Sequence, residues 1–246
     1  MNLFNPETFF DLSDGPAAGL FKGMVYVWEA VSALPAYIET IIDPKVLGKV
    51  EEGAWLEAGR VQVGEGSVIE RGAIIRGPTI IGRNTLVRSG AYIHGDVIVG
   101  NECLVGHGVE IRQILLLNQS NIPHQNCVFT SLVGNRVNLG GHSSTSNVRL
   151  DGEEIAIKAN LDGNRQSFPT GLTKFGAVIG DDSRVGPMCD LNPGAVIGRQ
   201  CSVFPRCIVS GYIPHDSIVR PVSEAFEIIP RAERHHSPKS EPGGKI

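Results

Sequence analysis

Residues 61–105 read VQVGEGSVIERGAIIRGPTIIGRNTLVRSGAYIHGDVIVGNECLV, and an aliphatic residue returns at every sixth position. The series runs Val63, Ile69, Ile75, Ile81, Val87, Ile93, Val99 and Val105, and extends in the same register to Ile111 and Leu117. Two residues before most of these stands something small or β-branched: Val61, Ser67, Ala73, Thr79, Thr85, Ala91, Val97, Cys103, Val109. Glycine often follows directly, as at Gly64, Gly82, Gly100 and Gly106. The register returns after residue 176 as Ile179, Val185, Leu191, Ile197, Val203 and Val209, and a shorter run at Val133 and Leu139 lies between.

A period of six fits a short strand followed by a tight turn, one flat side of a triangular coil. Three sides close one turn of a parallel β-helix. The aliphatic residue points inward and stacks on its copy one coil away, while the small residue fits the cramped corner. No coil buries its own face alone, so coils must stack. The reading is an all-β, single-stranded parallel β-helix. Cys103, Cys189, Cys201 and Cys207 fall on the corner position and are packing residues in this reading.

Composition agrees. Of 246 residues, 30 are glycine and only 6% are aromatic, which suits many tight turns better than a large aromatic core. The net charge of −4 gives no reason to expect a nucleic-acid partner. Five cysteines, without a CxxC pair, point to a reducing compartment. The start, MNLFNPETFFDL, has no signal-peptide pattern, and no apolar stretch reaches membrane-spanning length, so a cytoplasmic protein is expected.

The segments outside the repeat set the expected organisation: 1–60 a helical cap and lead-in, 61–222 the β-helix with an excursion near 148–174, and 223–246 a polar, flexible tail. Leu20, Met24, Val27, Trp28, Val31 and Leu34 share a helical spacing. Pro35 should kink or end that helix or open a second one. Its expected place is over the open first coil, where an exposed edge invites pairing.

The repeat stumbles between Ile122 and Asn147, IPHQNCVFTSLVGNRVNLGGHSSTSN, where His124, Asn126, Asn138, His142, Thr145 and Asn147 crowd together. From about Ser67 to Ile213 the chain resembles the acetyltransferase domain of glucosamine-1-phosphate N-acetyltransferases, closest to the form fused to sugar-nucleotidyltransferases in archaea. Members are hexapeptide-repeat, left-handed β-helix acyltransferases, usually trimers. The handedness expected here comes from that resemblance. The family motif PHxxYxGD places a histidine general base on His124, and the preceding VE[IV]K stretch places its phosphate-holding lysine on Arg112. VNLGGHSSTSN matches NxGAGTxTxN, so Asn138 and Asn147 fall on substrate-binding asparagines. Gly140, Gly141, His142, Thr145 and Lys174 fall along the implied acetyl-CoA groove.

The resemblance implies an acetyl-CoA-dependent N-acetyltransferase acting on an amino-sugar phosphate such as glucosamine-1-phosphate, in a homotrimer with shared sites and no metal. The departures are Cys127 for the motif tyrosine, Phe129-Thr130 for its Gly-Asp pair, Gly140-Gly141-His142 for Gly-Ala-Gly, and His94 for an upstream arginine. They leave room for a different acceptor, or for an inactive β-helix scaffold partnering a separate nucleotidyltransferase. A zinc site is a further alternative, because His107, His124 and His142 lie 17 and 18 residues apart, close to one coil. His235-His236 in the tail is a pair that could also bind metal.

Overall fold

The computed structural model describes residues 2–13 and 15–222; the tail with His235 and His236 lies outside the described residues. The chain winds into a parallel β-helix with three faces. The first face is a nine-stranded ladder, from Lys49–Val50 through Val68–Ile69, Leu86–Val87, Leu104–His107, Asn121–His124, Asn138–Leu139, Arg184–Val185 and Ser202–Val203 to Ile218–Val219. The second face begins at Trp55–Leu56 and ends at Ile208–Val209; the third begins at Val61–Val63 and ends at Tyr212–Ile213. Coiling starts at Lys49, ahead of the first repeat visible in the sequence.

The inward residues are those the period singled out. Val63, Ile69, Ile75, Ile81, Val87, Ile93, Val99, Val105 and Ile111 are fully buried in one continuous core. At about 1.5–3 kcal/mol for each such side chain, this column is the main favourable term in the fold. The small corner residues close it. Ser67 Oγ donates to Gly82 O at 2.6 Å and accepts from Thr85 N, and Thr85 Oγ1 repeats the pattern one coil on with Gly100 O and Cys103 N. The four corner cysteines are buried, as the packing reading requires, and burial pushes the Cys103 thiol up to about 12.

One position differs. Leu117 does not point inward; Leu116 does, paired between Val99 and Val133. Leu117 instead joins an apolar cluster outside the coil. The reason is the corner between the second and third faces. Its Gly95-Asp96 becomes the single residue Gln113 (φ 50) in the next coil and Thr130 (φ 50) in the one after. Stacked residues accordingly sit 18 apart from Val68 to Leu86 to Leu104, but 17 apart from Leu104 to Asn121 to Asn138.

The same corner admits the excursion. Between Asn138 and Arg184, its neighbour one coil on, the chain leaves as an antiparallel hairpin, Ile155–Leu161 and Asn164–Leu172.

The N-terminal segment does not cap the first coil. It lies along the third face, whose central residues point outward and are apolar: Ile80, Ile98, Leu115, Leu132, Val178 and Val196. Helix α1 (Pro6–Phe9), helix α2 (Glu29–Ile41) and the hairpin together bury that stripe. The expected helix through Leu20 and Val27 is a set of turns, because Gly23 takes φ 82, although those side chains are buried. Pro35 sits inside α2 without ending it. Two polar ties fix the segment: Gln113 Nε2 donates to Val31 O at 2.9 Å, and Asp11 N donates to Asp181 Oδ2 at 2.7 Å.

Phe4 joins these parts, with ring centroids 5.1 Å from Trp28, 4.9 Å from Phe168 and 5.2 Å from Tyr212. Phe4→Ala should cost about 3–5 kcal/mol in denaturant unfolding. A loss below ~1 kcal/mol would show that the segment is not integral to the fold. A thiol reagent at pH 8 should modify one cysteine, Cys127, in the native protein and the other four only after unfolding, because Cys127 alone is exposed.

Candidate active site

His124 ends a strand of the first face, at the corner leading to the second. It is exposed, and its backbone is held from within. Asn126, completely buried, accepts His124 N–H at 3.1 Å and donates to Gly140 O at 2.7 Å and Ser143 O at 3.2 Å. This corner position is Ala73, Ala91 and Val109 in earlier coils and Ser143 in the next, so the amide stitches the histidine turn to the Gly140–Ser143 turn. The sequence carried the signal, an asparagine in a column of small residues.

Gly141 stacks on His124: a side chain there would come within 3.2 Å of the His124 Cβ. Gly140 is required for close coil stacking, since its Cβ would meet Pro187 N at 2.3 Å, and its own N–H donates to Val185 O. His142 is one position past the histidine column, at φ 61, donating its N–H to His124 O.

The second face carries the rest along two outward rows. His94, Arg112, Phe129 and Ser146 form one row; Tyr92, Glu110, Cys127 and Ser144 form the other. Arg112 is exposed. Burial pushes the Asp96 carboxyl up, with the Arg112 charge opposing it. His94 Nε2 lies 2.6 Å from Glu110 Oε1 and its ring 4.1 Å from Tyr92. Partial burial raises the Cys127 thiol, and the charge of Glu110 beside it adds to the rise.

Asn147 sits at the hairpin root: its Nδ2 donates to Thr130 Oγ1 at 2.9 Å, and its carbonyl accepts Phe175 N–H. Lys174 is exposed next to Phe175, where the hairpin returns. Asn138 is on the first face, between Asn121 and Arg184, so a single chain does not bring it to Arg112. Thr145 is a correction. It occupies the inward column between Val128 and Leu191 and is 2% exposed. Its Oγ1 accepts Phe129 N–H at 2.8 Å, so the hydroxyl serves the core and does not face a cofactor groove.

Within one chain, His107, His124 and His142 are not gathered into a three-ligand group. His107 and His124 match in register, but the His107 ring turns back, its Nδ1 2.6 Å from Ser89 O. Among the described residues no group of three His, Cys, Asp or Glu is placed to hold a metal ion.

Residues 75–167 match the family described as GMPPB C-terminal domain. The bifunctional protein GlmU of Methanococcus maripaludis strain C7 is 37% identical over 82% of this chain and 47% of its own length. The bifunctional sugar-1-phosphate nucleotidylyltransferase/acetyltransferase of Sulfurisphaera tokodaii is 28% identical over 74% of this chain and 44% of its own. The putative uncharacterized acetyltransferase YaiX of Escherichia coli K12 is 35% identical over 64% of this chain and 66% of its own. The chain thus spans about half the length of the bifunctional relatives it matches. Stacked coils of this period define a hexapeptide-repeat β-helix domain. Together with these matches the fold fits a hexapeptide-repeat acetyltransferase domain.

Asn126→Ala should destabilise the protein by about 1–3 kcal/mol, because it strips the partner from His124 N–H and removes a donor from the Gly140 and Ser143 carbonyls. Equilibrium unfolding in urea measures it, and a loss within ~0.3 kcal/mol would refute the stitching role.

Proposed function

We propose that the protein is an acetyl-CoA-dependent N-acetyltransferase whose acceptor is an amine on a phosphorylated sugar, with His124 as general base. The observation that carries this is a solvent-facing histidine on a turn fixed from inside by a buried amide. A base needs a constant position more than it needs many partners.

In the reaction, the acceptor amine attacks the thioester carbonyl carbon and its N–H proton passes to His124. The C–N bond forms as the carbonyl electrons move to oxygen. Collapse of that tetrahedral species breaks the C–S bond, and the proton held on His124 returns to the departing thiolate. Arg112 offers a guanidinium for the acceptor phosphate, a geometry suited to bidentate contact. Asn147 lies beyond it at the hairpin root, and Lys174, exposed where the hairpin returns, offers a cation to the cofactor. The turn of Gly140, Gly141 and His142 faces the acyl end of the cofactor.

Asn138 on a different face supports a homotrimer in which one copy brings Asn138 to the Arg112 face of another. The free thiols support a cytoplasmic setting; among the described residues no helix is long and apolar enough to cross a membrane. A second reading, an inactive scaffold, draws on Cys127 and Phe129 in the motif positions and on His94 being engaged by Glu110.

Thiol release from acetyl-CoA with a panel of amino-sugar phosphates should show turnover on at least one, lowered ~10²–10⁴-fold in His124→Ala. Turnover that persists in the variant would remove His124 from the mechanism; absence of both turnover and acetyl-CoA binding would leave the scaffold reading.

A further inference from the structure

The hairpin creates a groove of about 1120 Å³ against the second face, lined by both apolar and polar groups. Its floor includes Ser146, Asn192 and Ser210. These continue the outward row of Arg112 and Phe129, one residue per coil. At about 4.8 Å between neighbouring strands, the row carries the groove some 20 Å beyond Arg112.

The wall is held firmly. Two glycines with positive φ let the hairpin press directly on the coil: a Cβ at Gly211 would meet Lys158 O at 2.3 Å, and one at Gly194 would meet Ile155 Cγ2 at 2.6 Å. The groove is therefore a fixed feature of the fold, beginning beside Asn147.

Its chemistry is two-sided. Val148 and Leu150 give an exposed apolar surface, with Leu150 entirely exposed, and the largely buried Ile155 and Tyr212 border it. Arg149, Lys158 and Arg165 give cations, and the acid in the lining, Asp151, is already bonded to Arg149 Nε at 2.8 Å. Lys158 and Arg165 are left as an excess of positive charge in a chain of net charge −4. A bare sugar phosphate would use none of this apolar surface. A ligand with two phosphates and a flat base would use both halves.

We propose that the groove binds a nucleoside diphosphate, and that the acceptor is a nucleotide-linked amino sugar: the sugar near Arg112 and Asn147, the diphosphate toward Lys158 and Arg165, the base on the apolar surface. This rests on the acceptor site proposed above and names its substrate class. The same nucleoside-diphosphate chemistry also occurs in coenzyme A, so the test must separate the two.

Calorimetry on the full chain would use uridine, guanosine and adenosine diphosphates, with coenzyme A as a separate arm. At least one nucleoside diphosphate should bind the wild type and weaken tenfold or more in Lys158→Glu/Arg165→Glu, with coenzyme A binding unchanged. Both positions are exposed, and an unchanged melting temperature confirms the fold. The milder Lys158→Gln/Arg165→Gln should give an intermediate loss. No nucleoside diphosphate binding, or equal binding in the variants, overturns the proposal. Loss of coenzyme A binding instead assigns the groove to the cofactor and also overturns it. Because the readout is binding, nucleoside diphosphate capture without any acetyl transfer would sustain the groove while the catalytic reading fell.

Discussion

Everything in this molecule depends on one constraint: each coil must lie flat on the next, backbone against backbone, at the spacing of a parallel β ladder. The inward column supplies the apolar burial, but the corners decide whether the coils can close. Gly140 packed on the Pro187 backbone and Gly82 packed on Gly100 are positions where any side chain would force the coils apart. The corner hydroxyls and thiols work from the other side, meeting carbonyls that would otherwise be buried without a donor.

A coil built so tightly has little freedom, and its irregularities collect where freedom remains. The corner between the second and third faces is shortened at Gln113 and Thr130 and then opened to release the hairpin. The third face beside it is apolar on its outside and is covered by the chain's own N-terminal segment and hairpin. The first face and the part of the second away from the hairpin carry the histidine turn, the arginine row and Asn138. The candidate site residues sit on a stacked scaffold whose variable corner shapes the neighbouring groove.

The period-six pattern made the coil legible because each inward position has the same neighbours and so the same demand for an aliphatic residue. It misplaced Leu117 because a leucine there is buried too, only on the outside of the coil, and burial from either side selects the same residue type. It placed the N-terminal helix at the wrong end of the argument for a related reason. Apolar spacing reports that a segment is buried, not against what. The outward Ile80, Ile98 and Leu115 were visible in the sequence, but as extra aliphatics beside a stronger signal.

The candidate site divides in the same way. Sequence by itself determined the repeat, the corner role of the cysteines and the departure from the repeat near residue 148, because each follows from local spacing. Only the tertiary structure decided that Thr145 faces the core, that Asn126 holds the histidine turn, that Asn138 lies on another face, and that the hairpin walls a groove. Those facts depend on which coil lies over which and on where a corner loses a residue. A one-residue change in coil length turns every later side chain relative to its neighbours, and no local pattern records that change until the coils are stacked.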